Sequence, residues 1–549
     1  MSPTITDVTP IEDLRSAVQA AAAELRNGGN APSSAPTLER PKKAGFGDFS
    51  TNAAMLLAPA LKAPPREIAE KLGAALQERL GAQVDHVEVA GPGFLNIFLA
   101  DDWYTGAAAH VLAAGDGYGG GTADPPEKIQ VEFVSANPTG PLTAASGRHA
   151  AYGDSLRRLF HFQGHEVEGE YYFNDAGAQI RKFGESIIAR ARGEEPPEGG
   201  YEGDYVKELA GDIPGAAELD PDAAAAEGVQ RMVERIRTTL ASYHVEFDNW
   251  FREASLHEGD PSPVRRALDD LPEGATYRAD DALWLRTKEL GGDNEDRVLV
   301  RRTGEPTYFA SDVAYVESKL ERGFDRFFIV LGSDHHGYIA RMKGAVAALG
   351  ADPARLEIPM LQFVHIVERG EKASMSKRRG DFIMLDDLIA EIGADATRFF
   401  MLQRSHDSTV DLDLDLAREQ SAENPVYYVQ YAHARIARIL EKIGAERVEQ
   451  ALSESPSGLE LHPSERELVR KLLTFPAEVE EAAARRAPHR IATYALELGQ
   501  AFAAFYRDCP VKDAEPEELK SFRIGLAVSA KRTLARALDL LGVSAPESM

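Results

Sequence analysis

Two polar segments of the chain combine residue types and spacings that suit a polyphosphate. The first, NPTGPLTAASGRHA (137–150), follows the apolar run VEFV (131–134), which predicts a turn between a strand and a helix. The free N–H groups and the positive dipole end of such a helix form an anion site, to which the hydroxyls of Thr143 and Ser146 add donors. Taken alone, the same turn also fits an ordinary strand–loop–helix connection.

The second segment, EKASMSKRRGDF (371–382), is a small, polar and basic loop. Its three consecutive cations, Lys377, Arg378 and Arg379, could close over a polyphosphate. A solvated surface turn is the alternative interpretation, because short runs of charge usually face water.

A pair of histidines lies in GSDHHGY (332–338), directly after the apolar run FFIVL (327–331). His335 and His336 fit either packing or a zinc site. Since no third ligand stands at a recognisable metal spacing, we expect no tightly bound metal.

Acidic residues near these segments predict a pocket for a cationic group. In TYFASDVAY (307–315), Tyr308 and Asp312 are four residues apart and share one face if the segment is helical. Glu132 adds a carboxylate on the strand beside the first turn. Carboxylates hold a planar guanidinium through paired, charge-assisted hydrogen bonds. A routine helix pair and a routine sheet-edge acid are the alternatives.

The elements that position these residues predict an α/β fold. Strands alternate with helices, and the fully apolar run at 327–331 is typical of a buried parallel strand. This pattern predicts a doubly wound, Rossmann-type sheet whose ligands gather beyond the carboxyl ends of its strands. We place this domain at 116–415, with an acidic insertion at about 191–290.

Two further domains flank the Rossmann-type domain. Residues 1–115 mix helical patterns with a closing strand at 84–100 and predict an α+β domain. Residues 416–549 predict an all-α helical bundle, because apolar residues three or four apart form long stripes. In the first of these helices Tyr431 and Arg435 suit unstacked bases, although such residues more often belong to a core.

Composition and charge narrow the class of protein. A chain of 549 residues fits three or four domains, and 44% hydrophobic residues fit globular cores. No stretch approaches the roughly 20 apolar residues of a membrane span, and a single cysteine excludes an internal disulfide, so we predict a cytoplasmic protein without a membrane anchor. The net charge of −27 leaves nucleic-acid binding open, because residues 191–300 hold 26 acids against 12 bases and residues 421–549 hold 19 against 17.

Seven strings in order along the chain resemble the bacterial arginyl-tRNA synthetases, which are class I aminoacyl-tRNA synthetases. They are GDFSTNAAMLLA (47–58), AGPGFLNIFL (90–99), VEFVSANPTGPL (131–142), EYYFNDAGAQI (170–180), PTYFASDVAY (306–315), LGSDHHGY (331–338) and ENPVYYVQYAHARI (423–436). Any one string could mislead, but seven in the family's order make coincidence negligible.

The resemblance implies an arginine–tRNA ligase. Such an enzyme joins L-arginine to ATP, which enters with Mg²⁺, and transfers the arginyl group from the adenylate to tRNA(Arg). The family generally needs bound tRNA even for the first step, and its members are usually monomers. By resemblance, the N-terminal domain contacts tRNA, the helical bundle binds the anticodon, and we expect the acidic insertion to face solvent away from the tRNA.

The resemblance also assigns roles to individual residues. The expected catalytic residues are Lys377, Thr143 and Ser146. The expected ATP-binding residues are Pro138, Thr139, Gly140, Thr143, Ser146, Met375, Ser376 and Lys377. The expected arginine-binding residues are Glu132, Ser135, Asn137, Tyr308, Asp312, His336 and Asn96. Tyr431 and Arg435 are expected to contact tRNA.

The chain departs from the family at both of its ATP signatures. The family usually has His-Val-Gly-His where this chain has Thr143-Ala-Ala-Ser146, and the first lysine of the second signature is replaced by Ser374. Hydroxyls still donate to phosphate, Lys372 could supply the missing ammonium, and the methyl of Ala145 demands only a small shift of the adenine. We therefore expect a working enzyme with a modified ATP site.

Two alternatives remain open on the sequence. A synthetase-like tRNA-binding or regulatory protein with a decayed ATP site would also explain the altered signature. A third class of protein keeps the catalysis but uses another amino acid or acceptor.

Overall fold

The computed structural model describes residues 9–26, 34–41, 43, 45–372 and 383–549. Along these residues an α+β unit, a parallel α/β unit and a helical unit follow one another, which confirms the predicted fold class. In this part of the chain, none of the helices has the length and apolar character needed to cross a membrane.

The N-terminal unit packs helices on a small antiparallel sheet. Its elements are α1 (Pro10–Arg26), β1 (Phe49–Thr51), α2 (Ala53–Leu61), α3 (Pro65–Leu80), β2 (Val84–Ala90), β3 (Phe94–Leu99) and α4 (Asp101–Ala114). The strand order is β1-β3-β2. The single strand predicted at 84–100 is in fact a hairpin, because Gly91 and Gly93 take positive φ values of 52° and 137° and turn the chain.

The central unit begins with the turn and helix singled out in the sequence. Its first elements are β4 (Lys128–Glu132), α5 (Ala144–Gln163), β5 (Glu166–Phe173), α6 (Ala178–Ala191), α7 (Asp204–Asp212), α8 (Pro221–Ser242), β6 (Asn249–Arg252), α9 (Pro263–Asp270), β7 (Thr276–Ala279), β8 (Ala282–Leu285), α10 (Thr287–Gly291) and β9 (Arg297–Val300).

The rest of the central unit completes the sheet and leads to the helical end. Its elements are α11 (Tyr308–Glu321), β10 (Arg326–Ile329), β11 (Leu331–Gly332), α12 (Tyr338–Ala348), β12 (Leu356–Glu357), β13 (Met360–Leu361), β14 (Val364–Glu368), β15 (Glu371–Lys372), α13 (Leu385–Ile392), α14 (Ala394–Leu402), β16 (Val410–Asp413) and α15 (Leu414–Arg418).

The main sheet of this unit is doubly wound. Its strand order is β12-β10-β4-β5-β6, and all neighbouring strands are parallel. The chain starts at β4, adds β5 and β6 on one side, and returns to place β10 and β12 on the other. The winding therefore reverses between β4 and β10, where open α/β sheets bind their ligands.

The acidic segment is more closely built into the sheet than we expected. Its strand β6 pairs with β5 in the main sheet, and β7, β8 and β9 form a second, antiparallel sheet. From Asn249 onwards, the predicted insertion of about 191–290 therefore contributes strand β6 to the main sheet. Charge composition could not reveal this, because it does not report which strands pair.

The C-terminal unit is a bundle of helices. Its elements are α16 (Pro425–Ile443), α17 (Ala445–Ser453), α18 (Pro463–Leu473), α19 (Phe475–Ala484), α20 (His489–Asp508) and α21 (Glu517–Leu540). The predicted stripe of α16 faces the core, since Val429 and Ile436 are buried. Ion pairs join this bundle to the N-terminal unit, with Arg470 Nη1 2.6 Å from Asp48 Oδ1 and Arg466 Nε 2.6 Å from Asp101 Oδ1.

Candidate active site

The turn after β4 leaves the sheet through a strained backbone. Val134 and Ser135 take φ values of 69° and 44°, which side-chain-bearing residues rarely adopt. The hydroxyl of Tyr171 donates to the carbonyl of Ala136 at 2.8 Å and holds the turn. Strained residues persist where surrounding contacts fix them, and they cluster at functional sites.

Helix α5 starts with the two hydroxyls predicted to meet phosphate. Thr143 is its N-cap, and Thr143 Oγ1 accepts from the backbone N–H of Ser146 at 3.4 Å. The two side-chain oxygens are 3.3 Å apart. Ala145 is exposed. The arrangement offers two short alcohols and the positive end of the helix dipole to an anion.

The segment that follows the predicted ATP loop lies against this helix start. The N–H of Ala144 donates to Ile383 O, and the N–H of Leu385 donates to Leu142 O, both at 2.8 Å. Met375, Ser376 and Lys377 themselves lie outside the described residues, as does Ser374. Residues 383–385 thus lie against the start of α5. Lys372, before the loop, is 3.3 Å from the His365 ring through its Nζ.

The predicted ATP-binding residues Pro138 and Thr139 are buried, and Gly140 is half-buried. The hydroxyl of Tyr205, from α7, donates to Thr139 O at 2.8 Å. A side chain at Gly140 would lie 3.3 Å from that hydroxyl. Any contact of Thr139 with a nucleotide is thus restricted to its backbone or one edge of the side chain.

Asp312 lies one turn into α11, on the same face as Tyr308, whose ring is 72% exposed at the start of the helix. Burial raises the pKa of Asp312 to about 7, and the negative charges of Glu253 and Glu132 raise it further. A hydrogen bond from Tyr338 and the positive charge of Arg341 only partly oppose this rise.

Glu132 ends β4 and is 5% exposed. Its Oε1 accepts from the Ser135 hydroxyl at 3.2 Å. Its Oε2 accepts from Tyr315 at 2.8 Å and from the Lys319 ammonium at 2.9 Å. This carboxylate thus forms an ion pair with Lys319, whereas no ion pair of Asp312 is found among the described residues.

Other predicted arginine-binding residues lie at the rim of this region. The amide of Asn137 donates to Gln179 Oε1 at 3.1 Å, and its Oδ1 accepts from the N–H of Asn174 at 3.3 Å. His336 is exposed and precedes α12 by two residues, so it is close in sequence to Tyr338, the partner of Asp312. Glu132, Ser135 and Asn137 thus lie at or just beyond the carboxyl end of β4, and Asp312 is close enough to Glu132 for their charges to interact.

Asn96 is placed differently from the other predicted arginine-binding residues. It is buried in β3 of the N-terminal unit, between Ser50 and Glu88 of the neighbouring strands. It borders a cleft of about 470 Å³ that also contains the exposed rings of Phe46 and Phe94. No contact among the described residues joins it to the region around Glu132.

Several polar residues at the site were missed by the sequence analysis. Tyr315 and Lys319 continue the α11 face of Tyr308 and Asp312 at helical spacing, so the signal was present in the sequence. Tyr172 lies on β5 and hydrogen-bonds to Glu253, which lies in the turn after β6. The sequence around each of these two residues does not indicate that they meet at this site.

His149 is a further residue of this region that was missed. It lies on α5 one turn beyond Ser146, and its ring is hydrogen-bonded to the backbone of Val330, just past β10. Burial, with the nearby Arg148 charge, lowers the pKa of His149 to about 4, so the imidazole is neutral. An imidazole is therefore present on this helix although the usual signature positions have none.

In the helical unit, the two predicted tRNA contacts are on the surface. The ring of Tyr431 is 45% exposed and stacks on Tyr427 with 6.0 Å between ring centroids. Arg435 is exposed and lies over the Tyr506 ring at 4.7 Å. His433, on the same helix, instead points inward and is 2.8 Å from Pro546 O through its Nδ1.

Comparisons with known proteins give a consistent result. Residues 12–99 match the family model described as Arginyl tRNA synthetase N terminal domain, and residues 429–549 match that of the DALR anticodon binding domain. The chain is similar to the arginine–tRNA ligase of Frankia alni, with 44% identity over 98% of this chain and 99% of the relative. That of Oceanobacillus iheyensis is 42% identical over 93% and 94%. The arginyl-tRNA synthetase structure from Thermus thermophilus shares the fold at a TM-score of 0.74 and 24% identity, covering 98% of this chain and 99% of that one.

Proposed function

The chain belongs to the arginyl-tRNA synthetase family, and from this premise we propose that it ligates L-arginine to tRNA(Arg) at the expense of ATP. The observation that carries the proposal is Asp312. Among the described residues it forms no ion pair, although the Arg341 charge acts on it, and it lies close enough to Glu132 for the two carboxyls to interact. A guanidinium fits this place, because it supplies the missing charge and several donors at once.

The reaction has two steps. The α-carboxylate of arginine attacks the α-phosphorus of ATP, the bond to the β-phosphate breaks, and pyrophosphate leaves. A ribose hydroxyl at the 3′ end of tRNA then attacks the arginyl carbonyl and loses its proton, and AMP leaves. Placement and charge stabilisation dominate such transfers.

We assign the anion site to the start of α5. The positive end of the helix dipole, with the hydroxyls of Thr143 and Ser146 as donors, attracts phosphate oxygens, and Lys377 adds positive charge from the loop. Backbone at Pro138, Thr139 and Gly140 borders the nucleotide, and Met375 and Ser376 complete the loop side. ATP brings Mg²⁺ with it, which neutralises part of the triphosphate charge.

We assign arginine binding to the region around Glu132. Asp312 and Glu132 face the guanidinium, Tyr308 covers the entrance, and Ser135 and Asn137 fix the turn. His336 stays a proposed member at the rim. The position of Asn96 in another unit gives its proposed arginine contact no support.

We propose that both terminal units contact tRNA. The cleft at Asn96 exposes Phe46 and Phe94 beside Arg40 and Lys43, a combination that suits an unstacked base and its phosphate. In the helical unit, Tyr431 and Arg435 offer the same chemistry. We also infer a monomer that acts in the cytoplasm, where ATP and tRNA are found.

Arginine-dependent exchange between ATP and pyrophosphate, measured with and without tRNA(Arg), tests the function. We expect exchange that requires tRNA. No exchange in either condition from folded protein, together with tight tRNA binding, would instead identify a non-catalytic relative. Charging assays with arginine, lysine and canavanine test the amino acid.

Asp312→Ala tests the pocket. We expect KM for arginine to rise at least about a hundredfold, since one partner of a charged pair is lost, while KM for ATP changes little. Equal losses for both substrates would contradict the assignment.

A further inference from the structure

A polar stripe along α11 connects the arginine site to a buried ion network. The stripe consists of four polar residues at spacings of four, three and four, which place them on one helix face: Tyr308, Asp312, Tyr315 and Lys319. This face packs on β4 and β5. Exposure falls along the stripe, from 72% at Tyr308 to 0% at Lys319.

Two carboxylates lie next to each other beneath this face. Glu132 of β4 and Glu170 of β5 are paired in register on neighbouring parallel strands. Two negative charges so placed in a dry interior repel each other strongly unless a cation lies between them. Lys319 supplies it, with Nζ 2.9 Å from Glu132 Oε2 and 3.3 Å from Glu170 Oε1.

The hydroxyl of Tyr315 bridges the same pair of carboxylates. It donates to Glu132 Oε2 at 2.8 Å and lies 2.5 Å from Glu170 Oε1. Arg322 binds the far side of Glu170, with Nη1 2.5 Å from Oε2, and the same Nη1 is 3.2 Å from Glu168 Oε1 at the edge of the network. Lys319 and Arg322 thus already pair with Glu132 and Glu170 without a substrate.

The two carboxylates predicted to bind the guanidinium, Glu132 and Asp312, differ in how far the network occupies their oxygens. Oε2 of Glu132 is committed to Tyr315 and Lys319, whereas its Oε1 has Ser135 as its hydrogen-bond donor and keeps a free lone pair. Asp312 has no ion pair of this kind among the described residues.

We propose, on the basis of the function proposed above, that Lys319 and Tyr315 are positioning residues for arginine recognition. Lys319 offsets the charge of Glu132, and the Lys319 and Tyr315 bonds to Oε2 orient the carboxylate so that Oε1 stays a hydrogen-bond acceptor. Asp312 is then the carboxylate of the two that supplies net charge to the guanidinium, and Glu132 supplies geometry.

Tyr315→Phe tests the geometric part. The variant keeps the ring and removes one donor to Glu132, so we expect KM for arginine to rise about tenfold, the effect of one weakened hydrogen bond, with KM for ATP within about twofold. The matched control is Tyr118→Phe, which removes another buried hydroxyl, one that donates to Leu472 O at 3.1 Å in a different unit. It should lower thermal stability to a similar extent and leave both KM values unchanged.

Glu170→Gln tests the charge part, because Glu170 is fully buried behind the network. The variant leaves one excess positive charge beside Glu132. KM for arginine should rise about tenfold or more, whereas the inhibition constant of L-citrulline, a neutral isostere of arginine, should stay within about twofold. In Tyr315→Phe, by contrast, both ligands should weaken.

The results separate this proposal from the proposed function. Suppose that the wild-type protein charges tRNA with arginine. If Tyr315→Phe and Glu170→Gln then leave KM for arginine unchanged, or shift KM for arginine and KM for ATP equally, the network is only structural. In that case the proposal is wrong. If the wild-type protein itself does not use arginine, the proposed function fails first. Melting temperatures and circular dichroism verify that each variant is folded.

Discussion

Asp312 carries the charge that a guanidinium would meet, and that charge depends on pH. Burial raises its pKa to about 7, so its carboxyl is largely protonated below that pH in the empty site. In the proposed site arginine would bind the anion and displace the proton, hence KM for arginine should rise about tenfold from pH 8 to pH 6. Initial rates at saturating ATP measure this.

Glu317 provides the matched control for this pH dependence. It lies on the same helix, and burial, with Glu321 and Asp270 nearby, also raises its pKa to about 7. Glu317→Gln should leave the pH profile of KM for arginine unchanged. A flat wild-type profile, or one abolished by Glu317→Gln, would contradict the role of Asp312.

Thr143 allows helix capping and phosphate binding to be measured separately. Asn and Asp both cap helices at least as well as Thr, so Thr143→Asn and Thr143→Asp should keep the stability of the protein within about 1 kcal/mol. Only Asp places a negative charge beside the triphosphate. We expect KM for ATP to rise at least about tenfold more in Thr143→Asp than in Thr143→Asn. Equal values in the two variants would show that phosphate binds elsewhere.

At the scale of elements, the contact between α5 and α13 sets where the predicted ATP loop ends. A methyl group added at Gly147 would lie 2.7 Å from Leu385 Cδ1. Gly147→Ala should therefore push the 383–385 segment from the helix start and lower kcat/KM for ATP about tenfold. In Gly147→Ala/Leu385→Ala the clash is gone, so part of the loss should be recovered. Additive losses in this double-mutant cycle would argue against the contact.

Sequence patterns within one segment correctly predicted the helices and strands that depend mainly on that segment. The periodicity of α16, the apolar run of β10 and the four-residue spacing of Tyr308 and Asp312 all correspond to observed elements. Long-range pairing was not predictable in this way. Nothing in the acidic composition of 191–290 shows that β6 joins the main sheet, and nothing local to Glu253 brings it to Asp312.

The same limit applies to the candidate site. The tilt of the sheet edge and the packing of α11 decide that Glu132 meets Lys319, a residue 187 positions away. The resemblance implied that Asn96 contacts arginine. Where Asn96 lies relative to Glu132, however, depends on how the N-terminal and central units pack together. Only the structure shows that Asn96 borders a cleft of its own.

At the scale of the whole molecule, a net charge of −27 must be reconciled with a polyanionic partner. The helical unit is nearly neutral, with 19 acids against 17 bases over residues 421–549, so a few exposed cations can dominate locally. Arg435 lies on the surface of this unit beside Tyr431, whereas Arg235 lies in the acidic segment and pairs with Glu208 at 3.0 Å.

Salt dependence of tRNA binding tests this distribution of charge. If Arg435 contacts a phosphate, Arg435→Ala should weaken binding and reduce the slope of log affinity against log salt by about 1. Tyr431→Ala should weaken binding without changing the slope, because stacking releases no counterions. Arg235→Ala is the control and should change neither quantity. A reduced slope in Arg235→Ala would mean that the tRNA reaches the acidic segment, and the expectation that this segment faces away from it would be wrong.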